Sequence, residues 1–146
     1  MTENKIFRVM FLCTGNSCRS QMAEGFARAL GKDVIEAHSA GLIKCYVHPK
    51  AIAVMQEIGI DISWHQSKDI DQDLLKQMDI IVTLCSHANS SCPVTPPGIK
   101  RIHTPVNDPV GTSGTEEEIM EAFRKARDEI RAKVETLIDL LKSNSL

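Results

Sequence analysis

The sequence predicts an α/β fold: an open, mainly parallel sheet of four strands with helices on both faces. Three observations predict it. Short apolar runs alternate along the chain with stretches of helical periodicity, the pattern of strands joined by crossover helices. The first such run, Ile6-Phe7-Arg8-Val9-Met10-Phe11-Leu12, passes straight into a tight segment of small residues and then into a helical pattern. The run Ile80-Ile81-Val82 is β-branched and uninterrupted, as in a strand covered on both faces.

Each element follows from local pattern. The first strand is read as Lys5–Leu12. The first helix runs from Arg19 to Gly31, with Met22, Phe26 and Leu30 on one face and Gly31 as its stop. Val34–His38 is a short second strand. Pro49 suits the first turn of a second helix, which uses Ala51, Met55 and Ile58 and stops at Gly59. A short helix over Asp71–Met78 leads into the strand Asp79–Leu84. Lys100–His103 is a weaker fourth strand, after a segment made irregular by Pro93, Pro96, Pro97 and Gly98. In the last helix Ile119, Phe123, Ala126, Ile130, Val134, Leu137 and Leu141 recur at helical steps. Thr115 and Glu118 form a candidate capping box at its start.

The 146 residues are read as a single domain spanning 1–146. A formal net charge of -2 gives no bulk basic character for nucleic acid. No apolar run approaches the ~20 residues of a membrane span. Met1-Thr2-Glu3-Asn4-Lys5 leads directly into the first strand with no leader pattern, so a cytoplasmic protein is expected. Five cysteines, an odd count, argue against a fixed disulfide framework and for thiol chemistry. Monomer is the default for so small a fold.

The chemistry concentrates after the first strand, at Cys13-Thr14-Gly15-Asn16-Ser17-Cys18-Arg19-Ser20. A cysteine and an arginine flank five mostly small residues. Such a loop can aim backbone N–H groups at one point and hold a tetrahedral oxyanion, while arginine adds a permanently charged planar fork. A cysteine at an anion-binding position is favoured as thiolate and serves as a nucleophile. Thr14, Gly15, Asn16, Ser17, Cys18, Arg19 and Ser20 are the candidate oxyanion-binding residues. Asn16 suits left-handed geometry in the loop. The Gly-Lys-Ser/Thr ending of a nucleotide-binding loop is absent.

The second constellation runs from Cys85 to Cys92 through Ser86, His87, Ala88, Asn89, Ser90 and Ser91. Three readings are open: two small buried side chains, a zinc site with His87 lacking an evident fourth ligand, or a reversible dithiol. As a helix the segment would separate the two by about 10 Å. A disulfide needs Cα atoms within about 7 Å, so closure would require unwinding. Cys85, like Cys13, directly follows a strand, which places both at the same end of a parallel sheet, where ligands bind.

The third feature is Asn107-Asp108-Pro109. By itself it is a turn. Beside an oxyanion loop, Asp108 is also a proton donor to a leaving oxygen, a role that partial burial beside the anion would favour. Cys18 is assigned to packing and Cys45 is read as an incidental thiol. His48 is read as a helix cap, and Trp64 as half-buried near the second helix.

Together these residues resemble the thioredoxin-coupled arsenate reductases, which share the low-molecular-weight protein tyrosine phosphatase fold. The resemblance rests on Cys13 through Gly25, on His38-Ser39-Ala40-Gly41, on Val82 through Cys85 and Cys92-Pro93, and on Asn107-Asp108-Pro109. It spans nearly the whole chain. It implies that arsenate binds against Arg19, that Cys13 attacks arsenic, that Asp108 protonates the departing oxygen and that Ser20 supports the Cys13 thiolate. It implies further that Cys85 attacks Cys13 and Cys92 attacks Cys85, after which thioredoxin reduces the exposed Cys85–Cys92 disulfide. No cofactor is implied.

Some members of that family bind potassium beside the loop, and Asn16, Glu24 and Ser39 match ligand positions. Lys68 stands where a further carboxylate is expected, so its ammonium is expected to take the place of the cation and satisfy Glu24. Two other functions compete. A low-molecular-weight tyrosine phosphatase would use Cys13, Arg19 and Asp108 without needing Cys85 and Cys92. It would favour aromatic walls, yet the chain is 4% aromatic with Tyr46 its one tyrosine, and Val110 follows Asp108-Pro109. A non-catalytic thiol redox sensor is the other.

Overall fold

A computed structural model describes residues 5–85 and 97–146. The strands are β1 (Phe7–Cys13), β2 (Ile35–Gly41), β3 (Ile80–Thr83) and β4 (Lys100–His103). The helices are α1 (Arg19–Leu30), α2 (Pro49–Gln56), α3 (Gln72–Leu75) and α4 (Glu116–Lys142). The sheet order is β2-β1-β3-β4, and every pairing is parallel. The expected sheet is therefore present and entirely parallel. Cys92, His87, Pro93 and Pro96 lie outside the described residues.

Alternation along β1 explains the two layers. Val9 and Phe11 face a large cluster with Met22, Phe26, Val54, Phe123, Ile130 and Val134, which packs α1, α2 and α4 on one face. Met10 and Leu12 point the other way, into a smaller cluster with Leu75, Met78, Ile81, Cys13 and Cys85. Side chains such as Phe11, Phe26 and Phe123 are fully buried, each contributing about 1.5–3 kcal/mol by removal from water.

Some boundaries move for physical reasons. β2 runs three residues past the expected His38, because Ser39, Ala40 and Gly41 continue in register with Phe11, Leu12 and Cys13. α2 stops at Gln56, and Gly59 takes φ 81 in the turn beyond it. α3 is a single turn capped by Asp71, whose carboxylate accepts from the amides of Asp73 and Leu74. Leu30, expected on the buried face of α1, is 36% exposed at the helix end. Trp64 is exposed instead of half-buried: its ring lies 5.4 Å from the Arg28 guanidinium carbon and edge-on to His65.

This topology fixes where a site can form. From β1 the chain goes outward to β2 and then crosses back to β3, on the other side of β1. Connections leaving in opposite directions open a crevice at the carboxyl ends of the strands. Cys13 ends β1 and Cys85 lies two residues beyond β3.

Candidate active site

The segment from Thr14 to Cys18 leaves β1 and enters α1 at Arg19. Asn16 takes φ 48, the left-handed region that asparagine tolerates better than most residues. The segment lies flat against the end of β2: a Cβ on Gly41 would sit 2.6 Å from Asn16 N and 2.8 Å from Gly15 C. Glycine is required here by close approach. Three further bonds hold the loop from outside. Ile43 N donates to Thr14 O at 3.2 Å, His48 N to Ser17 O at 2.9 Å, and Ser67 Oγ to Gly15 O at 2.9 Å.

Inside, a chain of hydrogen bonds runs to the cysteine. Lys68 N–H donates to Asn16 Oδ1 at 2.8 Å, and a main-chain N–H can only donate. That fixes the amide, so Asn16 Nδ2 faces Ser20 Oγ at 2.8 Å. Ser20 Oγ lies 2.8 Å from Cys13 Sγ. With a lone pair taken by Asn16, its hydroxyl proton is free to point at the sulfur. Gln21 completes the brace. Its Nε2 donates to Asn16 O, Asn16 Oδ1 and Gln66 O at 2.9–3.1 Å. Its Oε1 therefore faces His65 Nδ1 at 2.9 Å and accepts that ring's proton. Asn16, Ser20 and Gln21 are fully buried.

Arg19 reaches across the crevice beneath the loop. Its guanidinium is buried, donates to Val106 O at 2.9 Å, and approaches Asp108 Oδ2 at 3.4 Å. α1 begins at Arg19 with no side-chain cap and no acidic residue in its first turn. Its first amides and its positive dipole end are thus directed at the loop. Asp108 stands at the mouth. The partial burial expected of it is small, for its side chain is 46% exposed, with Oδ1 accepting from Val110 N at 3.0 Å. Cys85 is buried, and its Sγ lies 3.3 Å from Thr14 Oγ1, beside the loop. Burial first, then Asp108 and Cys13, push the Cys18 thiol far above its ordinary range, so it stays a neutral packing group.

A second buried cluster sits behind the loop at Glu24. Ser39 Oγ donates to Oε1 at 2.5 Å and Arg28 Nε to Oε2 at 2.8 Å. Burial opposes the carboxylate, but those two hydrogen bonds, with His65 and Lys68 adding, hold its carboxyl below the usual range. Lys68 Nζ stands 4.0 Å from Oε1. Burial lowers the Lys68 pKa, with Glu24 opposing. The residues do not fit a potassium ion. What excludes the ion is the Lys68 ammonium, which already faces the Glu24 carboxylate; Ser39 and Arg28 also donate to its oxygens.

Cys13, Arg19, Asp108 and Cys85 therefore converge. Sequence reasoning missed Gln21, His65, Ser67 and the close approach of Gly41. Only the pairing of a left-handed Asn16 with a glycine ending β2 carried any signal of them.

The sequence profile of the low molecular weight phosphotyrosine protein phosphatase family matches residues 8–146. A protein of Bacillus subtilis (strain 168) called arsenate reductase is 50% identical over 128 residues, 88% of this chain and 91% of that protein. One from Halalkalibacterium halodurans with the same name is 47% identical over 131 residues, 90% of this chain and 94% of that protein. A solved structure described as an arsenate reductase in the phosphate binding state superposes with a TM-score of 0.76 at 40% identity, covering 93% of this chain and 99% of its own.

Proposed function

The chain belongs to the low molecular weight phosphotyrosine protein phosphatase family, and within that family we propose that it is an arsenate reductase. The observation that carries this reading is the second buried thiol beside the loop. Cys85 Sγ lies 3.3 Å from Thr14 Oγ1 and shares a small apolar cluster with Cys13. Hydrolysis of a phosphoester has no use for it. Two relatives close to half identical over most of their length bear the name arsenate reductase, which supports the same reading.

The proposed reaction uses these residues in turn. Arsenate enters the loop against the Arg19 guanidinium and the first amides of α1. The Cys13 thiolate attacks arsenic. A sulfur–arsenic bond forms, and one arsenic–oxygen bond breaks with that oxygen taking a proton from Asp108 and leaving as water. The Cys85 thiolate then attacks Cys13 Sγ. A Cys13–Cys85 disulfide forms, and the electron pair of the sulfur–arsenic bond stays with arsenic, which departs as arsenite. The two electrons come from the thiol pair. Cys92 attacks Cys85 Sγ, restores the Cys13 thiolate and leaves a Cys85–Cys92 disulfide for thioredoxin to reduce. No cofactor enters any step. A reducing cytoplasm, in which thiols stay free, suits this relay, and one copy of the chain carries every residue named.

The test is arsenate turnover with thioredoxin, thioredoxin reductase and NADPH. Cys13→Ser, Cys85→Ser and Cys92→Ser should each abolish it. Full turnover by Cys85→Ser would overturn the proposal. The convergence of Cys13, Arg19 and Asp108 also favours a second reading, hydrolysis of phosphate monoesters. That activity would survive Cys85→Ser and be lost in Cys13→Ser.

A further inference from the structure

Lys68 makes three separate attachments around the loop. Its main-chain N–H donates to Asn16 Oδ1 at 2.8 Å, and its carbonyl accepts from Gly41 N, also at 2.8 Å. Gly41 is the residue whose missing side chain lets Asn16 approach β2. Its ammonium donates to Gln66 O at 2.8 Å and faces the buried carboxylate of Glu24 at 4.0 Å. Gln66 O in turn accepts from Gln21, which braces Asn16. From Asn16 two hydrogen bonds reach Cys13 through Ser20. A displacement of the segment 66–68 thus passes to the nucleophile through contiguous contacts.

The charge at this place has a physical task. The Glu24 side chain is only 5% exposed and is approached by Arg28, His65 and Lys68. Arg28 belongs to the same helix as Glu24, four residues on, and the imidazole of His65 is 3.9 Å from Oε2. Both His65 and Lys68 reach that carboxylate from the segment 61–69, and Lys68 is the one of the two whose own main chain clamps Asn16 and the end of β2. A small monovalent cation would occupy the same relation to Glu24, but here the charge is covalently attached.

We propose that the Lys68 ammonium is a tethered cation that takes the place of a free monovalent ion beside Glu24, and that Lys68 is a positioning residue for the oxyanion loop. The proposal rests on reading that loop as an oxyanion site, whatever chemistry follows binding. The side chain is 46% exposed, so solvent weakens the pair and the effect is graded, not all-or-none. The main-chain bonds to Asn16 and Gly41 are open to every substitution, so changing the side chain removes only the charge and its hydrogen bond to Gln66 O, and rescue by a free cation separates the two.

The experiment measures inorganic phosphate binding to the reduced protein, read as protection of Cys13 from iodoacetamide, with arsenate turnover in parallel. Wild type, Lys68→Met and Lys68→Arg are compared in sodium, potassium and ammonium chloride at equal ionic strength. Lys68→Met in sodium should bind phosphate about five- to tenfold more weakly and show a raised KM with a smaller change in kcat. Potassium or ammonium should restore most of the loss in Lys68→Met. Wild type should not respond to either, and Lys68→Arg should stay near wild type. Unchanged phosphate affinity in Lys68→Met would overturn the proposal, as would wild type gaining equally from potassium. Thermal unfolding in the same salts covers the remaining case: a variant weakened and destabilised alike in all three salts would show a merely structural role and overturn it too. If wild type binds phosphate as described but reduces no arsenate, the reductase reading fails and this one stands.

Discussion

Gly41 has no room for a side chain, and that single fact ties β2 to the chemistry of β1. A methyl group there would lie 2.6 Å from Asn16 N and 2.9 Å from Thr14 O, both main-chain atoms that cannot rotate aside. Gly41→Ala should cost about 1–3 kcal/mol of stability through overpacking and weaken phosphate binding by at least about tenfold. Urea unfolding and the alkylation assay check the two effects separately; unaltered phosphate affinity would mean the loop does not depend on this contact. His48 carries a pH prediction. Its Nδ1 accepts from Lys50 N at 3.1 Å and caps α2, while its main-chain N–H holds Ser17 O. Burial and then Lys50 push its imidazole below the ordinary value of 6.5, with Asp108 opposing. A histidine lowered in the fold favours folding in its neutral form. Its contribution is therefore complete above 6.5 and lost as pH falls through the lowered value. Wild type should lose more melting temperature between about pH 7 and about pH 5 than His48→Asn, which keeps an acceptor that does not titrate. Parallel pH curves for the two would contradict this.

Among the elements, α4 shows how far local pattern reaches. Thr115 Oγ1 accepts from Glu118 N, and Glu118 Oε1 accepts from Thr115 N, the reciprocal bonds that the sequence predicts. Thr115→Ala should cost about 1 kcal/mol and leave turnover unchanged, since the cap touches no residue of the loop. A large loss of activity with normal stability would show an unrecognised link between helix and site. Long periodic elements such as α1 and α4, and β-branched runs such as β3, were legible because burial imposes their spacing. The end of β2 was not, because Ser39-Ala40-Gly41 extends the strand by pairing with β1, and small residues carry little strand signal. Apart from Lys68, the segment 61–69 was illegible for another reason. Much of its hold on the loop runs through main-chain groups such as Lys68 N–H, Lys68 C=O and Gln66 C=O, which every residue possesses. Trp64 misled because an aromatic ring suggests burial, whereas here it lies over Arg28 at the surface.

At the scale of the whole molecule, strand order decides which residues meet. β1 and β3 are the inner strands, β1 buried from Val9 onward and β3 throughout, and their carboxyl ends deliver Cys13 and Cys85 to one crevice. Arg19 comes from the helix that follows β1 and Asp108 from the loop that follows β4, so three connections contribute to one site. That convergence was legible in outline, because residues directly after parallel strands must share an end of the sheet. The hydrogen-bond path from His65 to Cys13 was not, because it joins residues far apart in sequence through side-chain amides whose orientation only the fold determines. The account's central claim is that Cys85 takes over directly from Cys13 and thereby reduces arsenic. Its most direct test is a single turnover of fully reduced Cys92→Ser with excess arsenate and no thioredoxin, followed by peptide mass spectrometry. The account expects about one arsenite per chain and a Cys13–Cys85 disulfide. Arsenite formed at that level by Cys13→Ser, or formed by Cys92→Ser with Cys13 and Cys85 still free, would contradict it.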